Sequence, residues 1–178
     1  MNRAGGLALA ASALTITACV TQPDIYAPPM QRHAYSGPDT SNLKHFVAMN
    51  DPNVMAHVLR DVSGYLDSNT WRWTNQRPLF RFVLPTTKNL RLIWDFGIPV
   101  DTFRHTGPVT ATFTVNGRQL GTLRCSAPGQ HTFEKAVPSE WLRTGEDTIV
   151  GAEFDKVYIA EEDKAKLGVA LHKVGFRD

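Results

Sequence analysis

Cysteine is scarce in this chain of 178 residues, which contains only Cys19 and Cys125. So few cysteines exclude a disulfide-rich scaffold and a zinc site built from paired CxxC motifs. No catalytic signature surrounds Cys125. We therefore predict that its side chain is a small, buried apolar group.

The sequence also lacks a large excess of positive or negative residues. The 19 Lys and Arg residues nearly balance the 17 Asp and Glu residues, which gives a net charge of +2. Without residues 1–18 the chain loses only Arg3, and the balance becomes 18 against 17, or +1. Because a nucleic-acid-binding domain needs a clustered basic surface, this composition argues against that function.

The common catalytic motifs are absent. The sequence has no nucleophile elbow, P-loop, HExxH or CxxC pattern. Ser41 and Lys44 match an SxxK pattern, but they stand beside a proline-rich stretch and the companion motifs are missing. No ligand-pair spacing occurs among the six histidines, which are His33, His45, His57, His105, His131 and His172. We predict a protein that is not an enzyme and has no cofactor and no metal site.

The N-terminus has the pattern of an export signal. Residues 4–18 are uncharged and follow Arg3, and this run is too short to span a bilayer but long enough for a signal-peptide core. The run leads into Ile16-Thr17-Ala18-Cys19, which resembles the lipobox of bacterial lipoproteins. The resemblance implies cleavage before Cys19 and acylation of its sulfur, and Val20 at the next position implies the outer membrane. An ordinary signal peptide with an unrelated Cys19 is the alternative.

The rest of the chain divides into a tether and one domain. Residues 19–42 contain four prolines and no hydrophobic periodicity, which is typical of a flexible linker. Residues 43–178 remain for a single domain, and a chain of this length buries about two-thirds of its unfolded surface. The predicted organisation is therefore a signal peptide, a lipidated proline-rich linker and one globular domain.

Strand patterns dominate the predicted domain. Alternating apolar or aromatic residues mark strands at 70–74, 79–84, 90–96 and 109–115. Asn116-Gly117 between two alternating runs predicts a two-residue type I′ hairpin. Its register pairs Val115 with Arg118, Phe113 with Leu120 and Ala111 with Thr122. At least seven short strands and few helical stretches predict an all-β, antiparallel two-sheet β-sandwich of the jelly-roll type.

The order of these segments carries a resemblance. The motifs RWT, FTVNG and PG…FE..VP..WL, followed by Lys166-Leu167-Gly168, resemble the galactose-binding-domain type of sandwich. Similar modules accompany bacterial glycosyltransferases and envelope polysaccharide proteins. The resemblance covers roughly residues 60–178 and implies a fold more than a function. Glu161, Glu162 and Asp163 form an acidic turn, which leaves a structural calcium open.

Trp71 and Trp73 are the candidate ligand-binding pair. Alternate strand residues point the same way, so two indoles can lie side by side on one face and stack on sugar rings. Arg72, Asp95 and Arg104 are the candidate polar partners for hydroxyl groups. The alternative is that both tryptophans belong to the core.

These patterns predict a membrane-anchored lipoprotein of the bacterial cell envelope that displays a non-catalytic β-sandwich. Its partners are membrane lipid, through acylated Cys19, and a glycan or another envelope component, with no nucleic acid. The alternative is a structural or assembly lipoprotein that contacts protein partners and has no sugar site. A hydrolase with an unrecognised pair of carboxylates is a third possibility.

Overall fold

A computed structural model describes residues 44–162 and 164–178. The predicted signal peptide (1–18), the tether (19–42) and the acylation site Cys19 lie outside these residues, and so does Asp163 of the acidic turn. None of the helices in the described ranges has the length and apolarity of a membrane span.

Most of the described chain is β-strand. The strands are β1 (Phe46–Ala48), β2 (Val58–Val62), β3 (Arg72–Val83), β4 (Arg91–Ile98), β5 (Val109–Val115), β6 (Arg118–Cys125), β7 (Gly129–Ala136), β8 (Asp147–Phe154), β9 (Tyr158–Ile159), β10 (Lys166–Leu167) and β11 (Ala170–Arg177). One α-helix, α1 (Val100–Thr106), follows β4, and 3-10 helices span Val54–Ala56 and Ser139–Trp141.

The strands form two antiparallel sheets. One sheet has the order β1, β11, β4, β7, and the other has the order β2, β3, β8, β5, β6. The sheets are joined where Arg72 and Trp73, the first residues of β3, pair with β11. Strands β9 and β10 form a separate ribbon. The predicted all-β, two-sheet jelly-roll sandwich is confirmed.

Aromatic rings from both sheets meet in the core. Phe113 of β5 stacks on Phe133 of β7 with ring centroids 4.0 Å apart, and it contacts Trp94 of β4 at 5.7 Å. Trp94 also meets Phe80 of β3 edge to face at 5.5 Å. The apolar faces predicted for 79–84, 90–96 and 109–115 are buried, as expected for a sandwich whose inner faces interdigitate.

The predicted hairpin turn between β5 and β6 is present. Asn116 and Gly117 have φ angles of 48° and 76°, the two positive values that a type I′ turn requires. Val115 lies opposite Arg118, as predicted. Asn116 also donates its side-chain amide to the Trp141 carbonyl at 2.8 Å, which fastens the turn to the neighbouring 3-10 helix.

The register predicted beyond the turn is wrong. The observed partners are Phe113 with Gly121 and Ala111 with Leu123, instead of Phe113 with Leu120 and Ala111 with Thr122. A β-bulge at Leu120 adds one residue to β6 and moves the following side chains to the other face. The shift buries Cys125 and leaves Arg124 exposed, whereas the predicted register would turn Arg124 inward.

Candidate functional site

Trp71 and Trp73 stand where β3 leaves a tight turn. Ser68 and Asn69 have positive φ angles of 48° and 56°, and the Thr70 amide donates to the Asp67 carbonyl at 3.0 Å. The chain therefore reverses immediately before Trp71. Both indoles are half-buried on the same side of the strand, so neither belongs to the core and neither is fully exposed.

The two indoles do not form one flat platform. Their ring centroids are 5.1 Å apart and the ring planes meet at 86°, an edge-to-face contact. Such a contact holds two aromatic side chains in a defined orientation and is worth about 0.5–1.5 kcal/mol beyond their burial. Trp71 lines one cavity and Trp73 lines another.

Arg72 points to the opposite side of the strand from the two tryptophans. Its side chain is buried, and its guanidinium donates to the carbonyls of Met49, at 3.0 Å, and Gly64. These bonds tie the loops on either side of β2 to the start of β3. Arg72 therefore stabilises the packing of these loops and does not line either cavity.

The other two predicted polar partners also lie away from the tryptophan pair. Asp95 is half-buried on β4, with Thr132 and Lys173 as its strand neighbours. Arg104 lies on α1 and bonds the Asp101 carboxylate at 3.0 Å. Neither side chain lines the cavities beside the tryptophans, so the structure does not bring the predicted set together.

A cavity of about 240 Å³ opens beside Trp71, and we call it the Trp71 cavity. It lies over the sheet formed by β4, β7 and β11. The lining contains no Lys, Arg, Asp or Glu, and its residues are Trp71, Gly97, Ile98, Pro99, Gly129, Gln130, Ala170 and His172. The lining combines a broad apolar surface with an amide and an imidazole.

The polar edge of the Trp71 cavity is a hydrogen-bonded pair. Nε2 of Gln130 lies 3.0 Å from Nε2 of His172, within hydrogen-bonding distance. Gln130 lies beside Gly97, its strand partner, and a Cβ at Gly97 would lie 3.4 Å from Gln130 Nε2, an ordinary van der Waals contact. The Gln130 side chain extends across β4 towards His172 of β11.

The strand register directs His172 into the site. Between Leu171 and Lys173 the pairing of β11 with β4 shifts by one residue, which is a β-bulge at His172. Bulges re-aim a side chain, and here the imidazole reaches the Trp71 cavity. Sequence reasoning missed His172, Gln130 and Gly97, although Gly97 directly follows the apolar run 90–96 and a glycine within a strand is a signal of a special site.

Two other reactive side chains lie buried away from the cavities. Burial, with a smaller effect from Asp155, raises the pKa of the Cys125 thiol to about 11, so at neutral pH it is a protonated, apolar group as predicted. Burial also lowers the pKa of His57, whose Nδ1 lies 3.1 Å from the Arg81 carbonyl. Within residues 44–162 and 164–178, no three His, Cys, Asp or Glu side chains are grouped to hold a metal ion.

Comparisons with known proteins give structural similarity only. No family model and no curated protein matches the chain. It is similar to a family 35 carbohydrate-binding module from an environmental isolate, with 14% identity and a TM-score of 0.45 over 68% of this chain and 87% of that one. A family 35 module in complex with a glucuronic-acid-containing disaccharide matches with 15% identity and a TM-score of 0.44, over 76% and 94% of the two chains.

A family 36 module in complex with calcium and xylotriose is a further similar structure. Its identity is 9% and its TM-score is 0.42, over 74% of this chain and 98% of that one. Similarity at this level gives no residue correspondence for a ligand site.

Proposed function

We propose that this chain is a lipid-anchored envelope protein whose β-sandwich binds an uncharged saccharide in the Trp71 cavity, without catalysis. The observation that carries the proposal is the half-buried indole of Trp71 beside a cavity with a polar edge that contains no Lys, Arg, Asp or Glu. The Gln130–His172 pair supplies that edge.

The shape and chemistry of the cavity suit a sugar ring. An indole offers a flat apolar surface for the C–H face of a pyranose. The amide of Gln130 and the imidazole of His172 are hydrogen-bonding groups of the kind that orient hydroxyls. At about 240 Å³ the cavity is smaller than a drug-sized pocket of roughly 300–1,000 Å³, which favours a single small ring.

The lining also favours an uncharged ligand. None of the lining residues is Lys, Arg, Asp or Glu. A carboxylate brought into this cavity would lose hydration without gaining a Lys or Arg partner, which is costly. A neutral hexose or pentose has no such cost.

Removal of the Trp71 indole is expected to abolish most saccharide binding. Trp71→Ala should weaken binding of neutral sugars by roughly thirty-fold, which corresponds to the loss of about 2 kcal/mol typical of a buried aromatic anchor. The measurement is titration calorimetry of the purified full-length chain with neutral glycans selected on a glycan array. Trp141→Ala is the matched control, since Trp141 is also half-buried but lies far along the chain, beside the β5–β6 turn.

Equal affinity of the Trp71→Ala variant and the wild type would remove the Trp71 cavity as the binding site. If the array shows no binding by the wild type, the alternative of a structural or assembly lipoprotein without a sugar site takes precedence.

The proposed anchor rests on the sequence of the N-terminus. Ile16-Thr17-Ala18-Cys19 follows a signal-like run, and the prolines after it suit a tether between a membrane and a domain. Each buried methylene of an acyl chain contributes about 0.8 kcal/mol of membrane affinity, so two or three chains hold a protein durably. Outer-membrane placement is the part of this proposal that rests on Val20 alone.

Replacement of the anchoring thiol is expected to release the protein from the membrane. Cys19→Ser should leave an unprocessed or soluble form, because a hydroxyl does not replace the thiolate in the alkylation. The measurement is detergent-phase partition together with palmitate labelling in a bacterial host, and Cys125→Ser is the matched control. Persistent labelling and partition of the Cys19→Ser protein would exclude Cys19 as the anchor.

A further inference from the structure

A second cavity lies on the other side of the tryptophan pair, and we call it the Trp73 cavity. Its volume is about 300 Å³. It is formed by β2, by β3 and by the segment that includes β10, and its lining residues are Asp61, Val62, Ser63, Trp73, Asn75, Ala165, Lys166 and Leu167. The Trp71 cavity, by contrast, is formed with β4, β7 and β11.

A close backbone approach builds one wall of the Trp73 cavity. The Gly168 amide donates to the Thr74 carbonyl at 2.7 Å, and the Val169 amide lies 3.2 Å from the Thr74 hydroxyl. A Cβ at Gly168 would lie 2.5 Å from the Asn75 carbonyl, so only glycine permits this contact. The contact holds the preceding residues, Lys166 and Leu167, against the outer side of β3.

The opposite wall is set by a strained aspartate. Asp61 has a φ angle of 60°, and its carboxylate accepts the Arg77 amide at 3.0 Å. The Ser63 amide donates to the Trp73 carbonyl at 2.8 Å. These bonds hold the end of β2 beside β3, next to Trp73.

The Trp73 cavity has the chemistry of a hydroxyl-binding site. Trp73 supplies a half-buried indole, while Asn75 and Lys166 are exposed at its edge. In the described part of the chain, the side chains of Asn75 and Lys166 make no hydrogen bond. Donors and acceptors around an aromatic surface are the combination that recognises a sugar ring.

The tryptophan pair joins the two cavities. The indoles of Trp71 and Trp73 touch at a centroid distance of 5.1 Å, and each lines the cavity on its own side. A ligand that fills both cavities must therefore cross this pair. A linear saccharide does so, because its successive rings repeat the same apolar faces and hydroxyl edges.

We propose that the Trp73 cavity is a second saccharide subsite, and that the ligand is an oligosaccharide of at least two sugar residues that crosses the tryptophan pair. This inference rests on the proposed function of the Trp71 cavity. One ring occupies the Trp71 cavity, and the next ring occupies the Trp73 cavity, where Asn75 and Lys166 contact its hydroxyls.

Chain length provides the test. The probes are glucose, xylose and N-acetylglucosamine, each with its β-1,4-linked disaccharide and trisaccharide, titrated into the full-length chain. The wild type should bind the disaccharide or trisaccharide of at least one series about ten-fold or more tightly than the monosaccharide. Trp73→Ala should remove that gain, whereas Trp71→Ala should weaken every member of the series.

Asn75→Ala is the second variant, because an exposed side chain is replaced without loss of packing. It should reduce the gain with chain length and leave the melting temperature unchanged. Equal affinity for monosaccharide and trisaccharide in the wild type, or a gain that survives in both Trp73→Ala and Asn75→Ala, overturns the second subsite while the proposed function stands. Failure of all of these sugars to bind the wild type removes the proposed function and this inference with it.

Discussion

Gly175→Ala is expected to destabilise the sandwich by at least about 3 kcal/mol, because it combines backbone strain with a clash between strands. Gly175 has a φ angle of 140°, a value that residues with a side chain rarely adopt. A Cβ would lie 2.4 Å from the His45 carbonyl oxygen and 2.6 Å from the Phe46 Cα. Both contacts are with backbone, which cannot turn aside as a side chain does.

The expected consequence is loss of β1 from the sheet. Phe46 is the strand partner of Gly175, and the Phe176 amide donates to the His45 carbonyl at 2.6 Å. The measurement is urea denaturation of the full-length chain, followed by tryptophan fluorescence. Gly64→Ala is the control, because no atom lies within 4 Å of its added Cβ. An unchanged midpoint for Gly175→Ala would show that β1 does not pack on β11 in this way.

Truncation of Phe113 is expected to cost about 3–5 kcal/mol of the free energy of unfolding, the range for a buried Phe→Ala change. Its ring is fully buried between the two sheets and contacts Trp94, Phe96 and Phe133. Removal of the Phe113 ring therefore leaves a cavity between the sheets. This cavity closes only if strands of both sheets move inward. A loss of this size is a large part of the stability of an ordinary domain.

Tyr65→Ala is the matched control for Phe113→Ala. Tyr65 is also aromatic but is 75% exposed, so its truncation should change the free energy of unfolding by no more than about 0.5 kcal/mol. Both variants are compared in urea melts at one pH and temperature. Similar midpoints for Phe113→Ala and Tyr65→Ala would mean that the two sheets do not meet at Phe113.

The elements that the sequence predicted well are those encoded within a few neighbouring residues. Alternation along 90–96 and 109–115 identified both the strands and their buried faces, because strand side chains alternate with a period of two. The Asn116-Gly117 turn was equally local, since two consecutive positive φ angles are a property of those two residues. Fold class followed from the number of such strands.

Sequence reasoning failed where one strand constrains another. The bulge at Leu120 places Gly121 opposite Phe113, and a Cβ at Gly121 would lie 3.2 Å from the Phe133 ring, which stacks on Phe113 from the other sheet. Arg72 looked like a polar partner of the tryptophans, because it stands between them in the sequence. Its neighbours in space are carbonyls of the chain near Met49 and Gly64, which only the packing of β2 and β3 brings to it.

The candidate site shows the same division. The sequence by itself determined that Trp71 and Trp73 share one side of a strand, because that follows from the pleat. Only the tertiary structure decided that their rings stand perpendicular and that each lines its own cavity. Strand pairing and a bulge bring together three residues that lie far apart in the chain, Gly97, Gln130 and His172. No local sequence pattern predicts that they are neighbours.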